Sequence, residues 1–253
     1  MNSSSRLAMA FVAAILFAVP AAVAAQTPSF SAAQRQEIEG IVKDYLVRHP
    51  ELLQQVIDEL NKRQQEAEAA QHRAALRDNN KTLLFSPHQV VLGNPHGNVT
   101  LVEFFDYNCP YCRRALPDML KLLKTDPNLR FVLKEFPVLG KGSDDAARVA
   151  IAARMQDTSG KKYLEFHQKL LGARGPADEA RALEVAKQVG FDVGRIEKDI
   201  NSAEVKRTLA EDFKLADALG VSGTPTFVVG DEVIVGAVGF DALQGKIAAA
   251  ERK

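Results

Sequence analysis

Cysteine is scarce in this chain: 253 residues carry two, Cys109 and Cys112, three positions apart. That scarcity excludes a stabilising disulfide framework, which links distant cysteines because closing a long loop removes more entropy from the unfolded chain. Structural zinc is excluded on similar grounds. Two further ligands would be needed, and the five histidines, His49, His72, His88, His96 and His167, show no paired ligand spacing. An excess of either charge is missing too. With 32 basic residues against 32 acidic ones, the chain has no electrostatic footprint for nucleic acid or an anionic membrane. No internal repeat or low-complexity linker divides it, and beyond the first two dozen residues no apolar run is long enough to span a bilayer.

Residues 1–25 read as an export signal. Arg6 supplies a positive start, residues 7–19 are apolar but short for a bilayer, and Ala22-Val23-Ala24 fits the small-x-small cleavage rule. Cleavage would remove one arginine and no acid, leaving a net charge of about −1, and would deliver the mature chain to the periplasm. Residues 26–80 read as a helical stalk. Ser31 and Gln34 form a capping-box pair, and Ile38, Ile41, Val42, Tyr45 and Leu46 follow at helical steps before His49-Pro50 ends the first helix. A second helix carries Leu52, Leu53, Val56, Ile57 and Leu60, then turns polar over residues 62–78. A short apolar stripe of this kind needs a partner, either the rest of the chain or another copy of itself.

Residues 81–253 alternate between strand and helix, which predicts an α/β fold. Two short strand-like runs, 82–85 and 89–92, precede a turn at Asn94-Pro95-His96-Gly97. Residues 99–105 form a near-continuous apolar strand interrupted by one acid, Glu103, and lead into Asn108-Cys109-Pro110-Tyr111-Cys112. A helix is expected over 110–124, with Pro117 as a kink, then a strand over 129–136. Between about 143 and 219 the spacing is helical throughout: 145–155, 161–171, 178–189 and 203–219. Gly230-Asp231 marks a two-residue hairpin between strands at 226–229 and 232–235, and a helix over 241–250 follows.

A thiol at a helix N-terminus is favoured as thiolate, because the free N–H groups and the helix dipole stabilise negative charge. Cys109 lies where Pro110 would start the helix, so it is the expected nucleophile; Cys112, one turn on, is the expected resolving thiol in a reversible Cys109–Cys112 disulfide. The second element is Gly223-Thr224-Pro225, just before a strand, where a cis bond would turn the Thr224 backbone toward an incoming peptide. Glu103 has two readings: an acid held protonated by burial, or a salt-bridge partner, with Lys134 as a candidate.

The run from Glu103 to Cys112, Glu-Phe-Phe-Asp-Tyr-Asn-Cys-Pro-Tyr-Cys, resembles the active-site segment of the DsbA family of periplasmic disulfide oxidoreductases, and Gly223-Thr224-Pro225 resembles its cis-proline loop. The resemblance covers about residues 91–250. It implies a thioredoxin fold with an all-helical insertion, a cis Pro225 beside Cys109, Glu103 buried beneath the motif, and Thr224, Pro110 and Tyr111 bordering the substrate. Residues 41–53, Ile-Val-Lys-Asp-Tyr-Leu-Val-Arg-His-Pro-Glu-Leu-Leu, resemble the N-terminal region of ScsC-type proteins, a DsbA-like group linked to copper tolerance. Relatives of that type form trimers and can act as disulfide isomerases. The Pro110-Tyr111 dipeptide resembles theirs rather than the Pro-His of the principal oxidase. The resemblance thus implies a homotrimeric isomerase or reductase without a bound cofactor. Its partners would be misfolded or reduced exported proteins and a DsbD-like or DsbB-like membrane redox protein. A DsbA-like dithiol oxidase is the alternative, and a carrier holding copper(I) on Cys109 and Cys112 is an alternative of another class.

Overall fold

The computed structural model describes residues 30–157 and 159–252, so the expected export signal lies outside the described residues. The chain divides into two compact units, with the boundary between Leu60 and Asn61. In the first, α1 (Ala32–Arg48) opens on the expected capping box: Gln34 N donates to Ser31 Oγ, and Ser31 N donates to the Gln34 side chain. Pro50 starts α2 (Pro50–Asp78), which continues across the boundary. No residue of α1 is buried, and Ile41, Tyr45, Val56 and Leu60 are each more than half exposed. An open apolar groove of about 570 Å³ is lined by Ile38, Val42, Leu46 and Leu53. Among the described residues the stripe read from the sequence is therefore present and uncovered.

The second unit is built on a five-stranded sheet of order β1-β3-β2-β4-β5. Its strands are β1 (Val90–Gly93), β2 (Val99–Phe105), β3 (Leu129–Glu135), β4 (Thr226–Val229) and β5 (Glu232–Val235). β2 and β3 are parallel and joined by α4 (Pro110–Thr125), while the other pairs are antiparallel. β2 lies at the centre and is covered on both faces, which accounts for its almost unbroken apolar sequence. Leu101 and Phe105 pack with Met119 and Leu122 of α4 on one face. Val102 and Phe104 pack on the other with Val132, Leu76 of α2 and Leu83 of α3 (Asn80–Phe85). The expected insertion comprises α5 (Lys141–Arg154), α6 (Lys161–Gly172), α7 (Glu179–Val189), α8 (Val193–Asp199) and α9 (Ala203–Ala218); α10 (Phe240–Glu251) adds Leu243 and Ile247 to the first face. Gly230, at φ +58°, makes the expected turn between β4 and β5.

Two expectations fail locally. Residues 82–85 belong to helix α3, not to a strand: four residues cannot distinguish the two periods, and Leu83 is buried by lying across the sheet rather than by pairing with it. α8 went unread because its seven residues bury only Ile196, so no apolar repeat marks it. α4 runs on through Pro117.

Candidate active site

β2 ends in the middle of the sheet, and the chain turns through Asp106, Tyr107 and Asn108 before α4 begins. Asp106 organises that turn. Its carboxylate accepts from Asn108 N and Ser143 Oγ, both at 2.7 Å, and from Leu139 N at 3.0 Å; its carbonyl accepts from Cys109 N at 3.0 Å. The Asn108 side chain reaches into the insertion, donating to Ser143 Oγ at 3.0 Å and Ala177 O at 2.8 Å while accepting from Ala177 N at 2.7 Å. Arg113 Nε donates to Leu171 O at 2.9 Å, tying the first turn of α4 to α6. The result is a fixed seat for Cys109 at the N-cap of α4, with extended backbone at φ −76° and ψ 118°.

Cys109 and Cys112 are both free thiols and both buried, Cys109 at 4% exposure and Cys112 at 0%. Cys109 Sγ donates to the Thr224 carbonyl at 3.1 Å. The Thr224–Pro225 bond is cis, and Pro225 is buried. Two further bonds hold that loop: Thr226 Oγ1 donates to Gly223 O at 2.7 Å, and Gly236 N to Pro225 O at 2.8 Å. The loop and the cysteine motif, 115 residues apart in sequence, are thus brought into direct contact. Pro110 and Tyr111 stand at the exposed start of α4, with the Arg114 guanidinium 5.1 Å from the Tyr111 ring centroid.

Glu103 is buried in β2, and burial pushes its carboxyl from 4.5 to about 8. The Cys112 thiol is pushed strongly up, first by burial and next by the negative charge of Glu103. The salt bridge to Lys134 is not made. Register pairs Glu103 with Leu133 and Phe104 with Lys134, so the acid and the lysine point to opposite faces of the sheet. Lys134 instead sits 3.3 Å from Asp212 and donates to Thr82 O at 3.0 Å. Burial pushes Asp212 up to about 7 although Lys134 pulls it down.

Sequence reasoning overlooked the polar frame around the motif. Asp106 and Asn108 have the two-residue spacing of an Asx turn, which was a usable signal. Their partners Ser143 and Ala177 had no local signal. Nor did a buried chain running His167–Tyr107–Tyr163–Glu135. Tyr163 OH donates to Glu135 at 3.0 Å, and Tyr107 OH lies 3.2 Å from Tyr163 OH and 3.3 Å from His167 Nδ1. Each hydroxyl has one proton, so Tyr107 donates to Tyr163 and accepts from His167. Burial pushes the imidazole down to about 3, keeping it neutral. Among the described residues no group of three or more His, Cys, Asp or Glu side chains is gathered to hold a metal ion.

Residues 100–248 match the family model of the DSBA-like thioredoxin domain. The chain belongs to that family. Residues 34–67 of this DSBA-like chain match a second model, the copper resistance protein ScsC N-terminal domain. A thioredoxin-like oxidoreductase from Silicibacter pomeroyi is 46% identical, with 69% of this chain and 99% of that one covered at a TM-score of 0.66. ScsC from Proteus mirabilis, in a transitional conformation, is 28% identical, with 88% and 99% covered at a TM-score of 0.64. The Na(+)/H(+) antiporter NhaA 1 of Salinispora arenicola is 31% identical over 162 residues, which make up 63% of this chain and 24% of that relative. The DSBA-like chain thus spans about a quarter of the length of the first curated relatives it matches. Among its described residues no helix is long and apolar enough to cross a membrane.

Proposed function

We propose that this chain catalyses thiol–disulfide exchange on exported proteins in the periplasm, with Cys109 as nucleophile and Cys112 as resolving thiol. The observation that carries the reading is the position of Cys109: N-cap of α4, sulfur 3.1 Å from the Thr224 carbonyl, the second thiol one turn behind it. A substrate disulfide approaching along the Thr224 loop is attacked by the Cys109 sulfur, whose thiol proton is given up to solvent. Its S–S bond breaks, one substrate sulfur leaves as thiolate, and the other becomes bonded to Cys109. The ionised form of Glu103, a minority at pH 7 because burial lifts its carboxyl to about 8, then takes the Cys112 proton as Cys112 attacks Cys109 Sγ. The substrate leaves reduced by two electrons, and the Cys109–Cys112 disulfide has formed. If a substrate thiolate attacks the mixed disulfide first, the substrate is reshuffled with no net electron transfer. No bound cofactor enters either route; a membrane redox protein of DsbD-like or DsbB-like chemistry resets the pair.

Within this chemistry we favour an isomerase or reductase of ScsC type over a simple oxidase, on the match at residues 34–67 and the uncovered stripe of α1 and α2. The test compares refolding of scrambled ribonuclease with oxidation of its reduced form, using one preparation. Reshuffling is expected to dominate. Faster oxidation would identify a DsbA-like oxidase, and tight copper(I) binding on Cys109 and Cys112 with negligible turnover would identify a carrier.

Assembly of three copies would cover the stripe and set three Cys109 sulfurs around one substrate. The unit boundary after Leu60 marks where to cut, since Leu76 packs into the core with Leu83. A variant lacking residues 26–60 is expected to be a monomer that keeps thiol exchange but loses most reshuffling activity. Light scattering and the scrambled-substrate assay check the two halves; a monomeric full-length chain would overturn the assembly.

A further inference from the structure

The second unit has a cavity of about 750 Å³ at the edge of the sheet where β2 and β3 begin. Cys109 follows the other end of β2, five residues and roughly 17 Å of strand beyond Thr100. The volume falls within the range of small-molecule sites. Arg130 stands in its wall. It is the second residue of β3, paired with Gly93 on one side and Thr100 on the other, and its side chain takes the same face as Val132 and Lys134. Arg130 is only 7% exposed, yet its Nη1 makes no hydrogen bond with any described residue. The guanidinium carbon lies 5.5 Å from the centroid of the Phe85 ring, which shields the cation without giving Nη1 an acceptor.

A buried guanidinium with an unmet N–H is costly, and an anion is the group that matches its fork. The surroundings have the same sign. Arg73 and Arg77, four residues apart on α2 and therefore on one face, line the cavity with Arg130, against a single acid, Asp231. The rest of the wall mixes polar residues such as Asn80, Asn98 and Thr100 with accessible apolar ones, Leu84, Phe85 and Ala250. Polar groups that fix an anion therefore stand beside hydrocarbon that could cover an aliphatic chain.

We propose that this cavity binds a small anionic amphiphile, its carboxylate or phosphate head held by Arg130 with Arg73 and Arg77 and its hydrocarbon body against Leu84, Phe85 and Ala250. Such a site would act independently of the cysteine pair.

Calorimetric titration of the full chain with octanoate, octyl phosphate, octanol and inorganic phosphate tests it. Octanoate or octyl phosphate should bind at least about tenfold more tightly than octanol or inorganic phosphate, because only they satisfy both the cation and the apolar wall. The tighter of the two names the head group. Arg130→Gln should lose about tenfold or more of that affinity while Cys109 alkylation proceeds at the wild-type rate. Should Arg130→Gln fail to fold, the exposed pair Arg73→Gln and Arg77→Gln carries the test, with an expected loss of threefold or more. Octanol binding as tightly as octanoate would reduce the cavity to an apolar hole, and inorganic phosphate matching octyl phosphate would reduce it to an adventitious anion site. Either result, absence of binding, or unchanged affinity in a folded Arg130→Gln protein overturns the proposal.

Discussion

A Cys112→Ser variant is expected to accumulate a mixed disulfide between Cys109 and substrate protein, while Cys109→Ser traps almost none. The asymmetry follows from the two positions. Cys109 caps α4 and faces the Thr224 carbonyl, where the backbone of an extended peptide can lie beside it. Cys112 is at 0% exposure within α4, and burial holds its thiol protonated. It can attack only a sulfur delivered to it, the one on Cys109. Removing it leaves the first exchange intact and abolishes the second, so turnover should fall by about a hundredfold or more while the covalent intermediate persists. Removing Cys109 eliminates the first exchange and leaves a thiol that substrate does not reach. Non-reducing mass spectrometry after incubation with a disulfide-bonded substrate reads both outcomes. Equal trapping by the two variants would show that the roles are reversed or shared.

The chemistry of this site was legible because its parts are short and local. Cys109, Pro110 and Cys112 lie within one helical turn, and the strand before them is marked by its apolar run. The Thr224-Pro225 loop stood out as a candidate cis turn before a strand, but its place beside Cys109 came only with the family resemblance; nothing in residues 221–226 alone says that Cys109 will lie 3.1 Å away. What escaped was polar and distant. Ser143 and Ala177 hold Asn108 across 35 and 69 residues, and no periodicity points to such a contact. Lys134 shows a related weakness. As the sole lysine in an apolar strand it invited pairing with the sole acid of the neighbouring strand, but strand alternation places the two on opposite faces, and the true partner, Asp212, comes from α9. Choosing between them needs the register, which depends on how β2 and β3 align rather than on either strand's composition.

Glu103→Gln is expected to raise the stability of the protein by an amount that grows with pH, and at the same time to slow release of substrate. Burial lifts the Glu103 carboxyl from 4.5 to about 8 in the folded chain. Between those two values the unfolded chain has lost the proton and the folded chain retains it. The folded state therefore binds more protons, and stability falls as pH rises through that window, levelling off above about 8. Over the whole window the cost is roughly 5 kcal/mol at about 1.4 kcal/mol per pH unit. Asp212, lifted by burial to about 7, contributes a decline of the same sign, but it is present in both proteins and cancels in their difference. Urea denaturation at pH 4.5 and pH 8 should therefore show a variant near the wild type at the lower pH and several kcal/mol more stable at the higher one. A stability difference independent of pH would sink the assignment of a protonated, buried Glu103. The kinetic half separates structure from chemistry. Glutamine fills the same space and cannot accept the Cys112 proton, so resolution of the mixed disulfide at pH 7 should slow by about a hundredfold, while the first exchange at Cys109 keeps its rate. A side chain that destabilises the fold at the working pH but accelerates only the second exchange has its role at Cys112.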